Sequence, residues 1–204
     1  MLKTVSVCAV ALLLCGTLTA ADSPIDKGSL FLSGSAYFQS QSGDLFEDMD
    51  GDGITSFGIG SSSVGLTENF ELSPTVGYFV SPGVFIGAQF GYLGYSRGDY
   101  DFHIVGMGPT IGYYFKVNQA QTEVKGSVYP YIRGFFNWAN ASNGASTRIL
   151  QYGAKGGMLY MLSSAVALDG SVMFRGDSWK PDGASESITG TTISIGVGIS
   201  AFIY

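Results

Sequence analysis

Leu72 to Tyr95 reads LSPTVGYFVSPGVFIGAQFGYLGY, and its alternation decides the fold. On the first arm Leu72, Pro74, Val76, Tyr78 and Val80 share one parity, while Glu71, Ser73, Thr75 and Gly77 share the other. On the second arm Val84, Ile86, Ala88, Phe90 and Tyr92 alternate with Gly87, Gln89 and Gly91. Successive side chains of a strand point to opposite faces, so each arm has one apolar face and one small or polar face. Between the arms, Ser81-Pro82-Gly83 has the chemistry of a tight hairpin turn. Arms of about ten residues are long for a soluble strand and fit a tilted strand that crosses a bilayer.

The same pattern recurs along the chain. Outward from the hairpin, the alternation predicts strands at Ser29 to Gln41, Ile104 to Phe115, Tyr129 to Asn140, Arg148 to Leu162, Ala165 to Gly176 and Thr191 to Tyr204. Together with the two arms this makes an all-β, eight-stranded antiparallel up-and-down transmembrane β-barrel. The expected connections are long and polar over Ser42 to Leu66, short and acidic over Gly98 to His103, polar over Lys116 to Val128, and loops over Ala141 to Ser146 and Asp177 to Gly190. Ser163-Ser164 is a tight turn. Short turns on one side and longer loops on the other are the layout of an outer-membrane barrel; the connection after Phe115 is long on the short side.

Composition supports a lipid-facing exterior. Charged residues are 13% of the 204, about half the soluble average of roughly 25%, so a soluble domain would expose an unusually apolar surface. A secreted lipocalin-like barrel, the soluble alternative, carries its charges outside and its apolar residues around a ligand. Here the strands are poor in charge. Aromatics gather near strand ends (Tyr78, Phe79, Tyr92, Tyr95, Tyr113, Phe115, Trp138, Tyr160, Phe202, Tyr204), where interface girdles are expected.

The first residues read as a secretory signal. Lys3 precedes the apolar run Val5 to Cys15, which is too short to span a bilayer, and Thr19-Ala20-Ala21-Asp22 suits cleavage. The domain division is thus a signal at 1–20, a short polar periplasmic lead at 21–28 and the barrel at 29–204. Both cysteines, Cys8 and Cys15, fall in the signal, so the mature chain is expected to lack disulfides and thiolate metal sites. Loss of Lys3 takes the net charge from −6 to −7, which argues against nucleic acid as a partner.

The runs LSPTVGYFVSPGVFIGAQFGY and IVGMGPTIGYYF resemble the small outer-membrane β-barrel domain family, related in shape to the OmpA- and OmpX-type barrels. The resemblance spans Leu30 to Tyr204 and is carried by Ser73-Pro74, Gly77-Tyr78-Phe79, Gly87, Gly108-Pro109 and Tyr113-Tyr114-Phe115. It implies a fold and an outer-membrane location but no single activity. Family members often have a basic residue where this chain has Gly112.

Three constellations bear on chemistry. Asp48-Met49-Asp50-Gly51-Asp52-Gly53 sets carboxylates at alternate positions before glycine, as in the first half of a calcium loop. Ile59 stands where a bidentate Glu would close such a loop, so Asp48, Asp50 and Asp52 are expected to be mainly solvated, with weak calcium binding or bridging to lipopolysaccharide phosphates as the alternative; no other cofactor is expected. Glu71, Arg133, Lys155, Asp169 and Arg175 lie on the inner parity, where charges must pair because an eight-stranded barrel has little interior space. They make a polar plug or, alternatively, line a narrow passive channel. A lipid-modifying enzyme is the third reading. The lone histidine, His103, has no serine beside it, and no nucleophile–base pair can be named, so no enzymatic activity is expected. Partners are then outer-membrane lipid, lipopolysaccharide and the barrel-assembly machinery, with the chain a monomer.

The C-terminal strand is awkward for this fold. Ile193, Ile195, Val197 and Ile199 are odd, while the terminal aromatics Phe202 and Tyr204 are even. Either a bulge near Ser200-Ala201 restores the parity, or both aromatics face the lumen mouth; the unbroken odd series through Ala201 and Ile203 favours the second.

Overall fold

A computed structural model describes residues 22–42, 44, 55–59, 69–72, 74–97, 100–117, 123–143 and 145–204. Its strands are β1 (Leu30–Ser42), β2 (Thr55–Ile59), β3 (Asn69–Leu72), β4 (Thr75–Ser81), β5 (Val84–Arg97), β6 (Tyr100–Tyr114), β7 (Val128–Asn143), β8 (Ala145–Met161), β9 (Val166–Pro181) and β10 (Ile188–Ile203). Sequential strands pair antiparallel from β4 to β10, β4 also pairs β1, and β1 closes the barrel on β10. Eight staves result, because β3 and β4 are two parts of one. Leu72 opposes Tyr92 and Thr75 opposes Gln89, which is one register on β5 carried past Ser73-Pro74. β2 is an addition: it takes the edge of β1 from Ala36 to Ser40, beyond the stretch of β1 that β4 occupies. The shortest seam of the ring is β1–β4, paired over Leu30–Ser33 and Thr75–Tyr78, and among the described residues β3 pairs with β5 alone. Closure matters because an unpaired backbone group in the membrane would cost several kcal/mol. Among the described residues no helix is long and apolar enough to cross a membrane.

The outward face is apolar. Ile86, Val105, Ile111, Ile132, Val172, Phe174, Ile195, Val197 and Ile199 are all exposed. In water such a surface would be costly; against lipid it is the favourable face. Val76 lies on this side and Thr75 is buried within.

Several strands run further than the alternation indicates. β6 begins at Tyr100, β7 and β8 continue to Asn143 and from Ala145, and β9 reaches Pro181 rather than stopping at Gly176. The expected loops Gly98 to His103 and Ala141 to Ser146 are therefore largely ladder, and Asp177 is a strand residue. Above the membrane both faces of a strand meet polar surroundings, so pairing continues where the apolar alternation has faded.

The other end is closed by chain rather than by a turn alone. The described part of the polar lead, 22–28, folds under the mouth: Ile25 is wholly buried. Its carbonyl accepts from Gly83 N–H at 2.8 Å, and Gly28 N–H donates to Phe79 O at 2.9 Å. Gly83 takes φ of 76°, in the left-handed region that favours glycine. The long connection after β6 also tucks in. Gly126 N–H donates to Met161 O at 2.8 Å, and Val124 packs against the buried cluster. That accounts for its length on the short-turn side.

β10 is regular. Its pairing with β1 runs without a shift from Leu30–Ile203 to Ser42–Thr191, so no bulge lies at Ser200-Ala201. Phe202 is buried inside, Ile203 is exposed, and Tyr204 lies at the mouth with its hydroxyl donating to Ser164 O at 3.0 Å.

Candidate functional site

The lumen is the place where this chain concentrates its chemistry, and it is filled in layers. At the periplasmic end Phe31, Phe79, Phe85, Tyr114, Tyr131 and Phe202 form one cluster with Ile25. Phe31 stands edge-on to Phe85 with centroids 5.0 Å apart, and Tyr114 lies 5.5 Å from both Phe79 and Phe85 and 4.9 Å from Tyr131. Tilted and edge-on pairs of this kind are the favoured aromatic geometries. Phe79 therefore belongs to the interior and not to the interface girdle expected from its position near a strand end, and Phe202 lies inside as the unbroken odd series of β10 indicates. The inner face is not uniformly small or polar; its lowest layer is aromatic.

Glycines make that layer possible. A Cβ at Gly77 would collide with the Phe31 ring, and one at Gly112 would meet Phe85 and the Cβ of Arg133. At Gly112 the family resemblance leads one to expect a basic side chain; here the Phe85 ring uses the space.

Above the aromatics sits a first ion pair. Lys155 Nζ lies 2.9 Å from Asp169 Oδ2, both nearly inaccessible to solvent. Tyr131 donates its hydroxyl hydrogen to Asp169 Oδ1 at 2.8 Å, and Lys155 also donates to Ser35 Oγ at 3.2 Å. Higher up, Arg175 Nε lies 2.9 Å from Asp177 Oδ2. Gln151 Nε2 donates to Asp177 Oδ1 at 2.7 Å, and Thr192 Oγ1 donates to Asp177 Oδ2 at 3.2 Å. Each buried carboxylate thus has a cation and neutral donors, which offsets the large cost of desolvating it.

Arg133, Lys155, Asp169 and Arg175 are all buried inside the barrel. Asp177 is the member that sequence reasoning misses, because the apolar alternation ends at Gly176 and sets Asp177 in the loop that follows. The available signal was its spacing: two residues beyond Arg175, it shares that residue's face of a strand. Glu71 lies in β3 opposite Leu93, and its side chain is outside the described residues. So are Asp48, Asp50 and Asp52, and the signal at 1–20.

Arg133 differs from the other lumen charges. It opposes Lys155 directly across β7 and β8, and its buried Nε has no hydrogen-bond partner among the described residues. Gln89 Oε1 and Asn137 Oδ1 are likewise buried without a partner. Their strands, β5 and β7, flank β6 at Gly108. One side of the lumen therefore has unused hydrogen-bonding capacity. Near the opposite mouth Ile104, Ala139, Ala141 and Ile149 form a small apolar layer with Trp179 against it. Among the described residues no three His, Cys, Asp or Glu side chains converge on a metal-sized site.

The architecture defines the class: a closed eight-stave β-barrel with an apolar outer band, located in the bacterial outer membrane and crossing it with strands. Neisserial surface protein A has the same fold, with a TM-score of 0.55 at 15% identity over 86% of this chain and 99% of that one. The outer membrane protein OprG from Pseudomonas aeruginosa aligns with a TM-score of 0.43 at 12% identity over 89% of this chain and 99% of its own. Ail, the attachment invasion locus protein of Yersinia pestis, aligns with a TM-score of 0.40 at 16% identity over 85% and 99%. No family model and no curated protein sequence matches the chain.

Proposed function

We propose that this barrel is a closed surface protein of the outer membrane, serving structure or surface interaction rather than transport or catalysis. The observation that carries this reading is the filled lumen: an aromatic floor sealed by Ile25, then two buried ion pairs stacked above it. An eight-stranded barrel has an interior just wide enough for side chains, and here large ones occupy it. The reading includes a monomer inserted by the barrel-assembly machinery, with lipid and lipopolysaccharide as its surroundings.

Planar-bilayer recording of the refolded mature chain tests it. The expected outcome is an absence of discrete conductance steps; reproducible steps from the unmodified protein would overturn the closed reading. A narrow passive channel is the second reading, favoured by the spare hydrogen-bonding capacity at Gln89, Asn137 and Arg133. Arg133, the lumen cation that forms no ion pair among the described residues, makes anions the solute such a channel would pass.

A further inference from the structure

We propose that Arg148 and Lys180 form a clamp on the outer rim for the phosphate group of an anionic outer-leaflet lipid. The two stand directly opposite each other on β8 and β9. Both share the outward parity of Tyr152, Leu168, Val172 and Phe174, so they face the lipid side and not the lumen. Like charges opposed across a ladder repel, and a compensating anion is expected where such a pair is retained. Among the described residues neither forms an ion pair. Lys180 donates only to Ser185 O, at 3.3 Å, and the nearby Asp182 and Glu186 form no ion pair either. On the other side of Arg148, the exposed Asn140 extends the polar row.

Height identifies the anion. The outward band on β8 runs from Tyr160 at the periplasmic rim to Leu150, with Arg148 the next residue of that parity. Ten residues at roughly 3.3 Å each, tilted by about 40°, span about 25 Å, the height of the apolar band of such barrels. Arg148 and Lys180 thus sit one step above the hydrocarbon, at headgroup level, with the exposed aromatics Trp138 and Tyr152 just below. A guanidinium beside an ammonium suits a phosphate monoester, which takes a forked pair of donors and a second positive charge. The chain is acidic overall, so this basic pair is a local exception.

The inference rests on the outer-membrane surface role proposed above, but its test reads lipid binding and not conductance, so either can fail alone. The refolded mature chain in detergent micelles is titrated with diphosphorylated lipid A, and with the same lipid after removal of its phosphates, and bound lipid is counted by native mass spectrometry. Phosphorylated lipid is expected to bind about tenfold more tightly, as charge-assisted bonds of this kind allow. The double variant Arg148→Gln/Lys180→Gln should lose that preference, and the charge-keeping Arg148→Lys/Lys180→Arg should retain most of it. Lys125→Gln, at the opposite end of the barrel, should match the parent. Equal binding of the two lipids, or a preference that survives in the Gln variant, would overturn the clamp. Full competition by millimolar inorganic phosphate would overturn the lipid assignment in favour of a site for free anions.

Discussion

At the scale of single residues, the buried ion pairs have the clearest energetic consequences. Asp169 neutralises Lys155 inside the barrel and accepts from Tyr131. Asp169→Asn leaves the ammonium without its counter-charge, and losing one partner of a buried pair costs about 3–5 kcal/mol. Replacing both, as Lys155→Met/Asp169→Leu, should recover most of that loss, because the pair's attraction largely repays its own desolvation. Urea unfolding in lipid vesicles measures both; a double variant as unstable as the single one would show that the pair stabilises in its own right. Outside, Val172 lies midway along β9, paired with Gly156 and Ile195. Val172→Arg should cost about 2–4 kcal/mol near the bilayer midplane, against about 0–1 for Ile203→Arg, on the same outward face but at the rim. Equal costs in the same unfolding experiment would contradict the lipid-facing assignment.

At the scale of elements, the lead and the connection after β6 change what the periplasmic mouth is. Both fold back onto the aromatic layer, one through Ile25 and the other through Val124. The lead is held by two backbone bonds, by Ile25 and by the Lys116–Asp26 ion pair at 2.6 Å, which is partly exposed and contributes little. Such a short segment is expected to open locally without unfolding the barrel. Ile25→Ala should therefore speed hydrogen exchange at the Gly28 and Gly83 amides while leaving the β8 and β9 ladders protected. Uniform acceleration across the barrel would instead make the lead part of the global folding unit.

At the scale of the whole molecule, circular pairing gives the barrel a stability that does not depend on lipid alone. Every stave from β5 to β10 is bonded on both sides and β4 and β1 complete the ring, so the ladder opens only when several strands part together. The folded chain should migrate as a compact species on detergent gels and shift to a slower band after boiling. It should also fractionate with outer membranes, and recovery in the soluble periplasmic fraction would contradict the location. On the closed reading proposed above, the layered interior accommodates polar groups without a pore: aromatics exclude water at one end, so the ion pairs above sit in a low dielectric where they attract strongly.

The sequence by itself determined the parity of the strands, their number around the barrel and which face meets lipid. These follow from a period of two residues, which is local and needs no partner to be read: Val76 out and Thr75 in, Ile203 out and Phe202 in. Only the tertiary structure decided how the interior is filled. That Phe79 joins Phe31 and not a lipid girdle, that Ile25 seals the mouth and that Asp177 pairs with Arg175 depend on which strands become neighbours and how far their ladders extend. Alternation says which way a side chain points; closure of the barrel decides what it meets there.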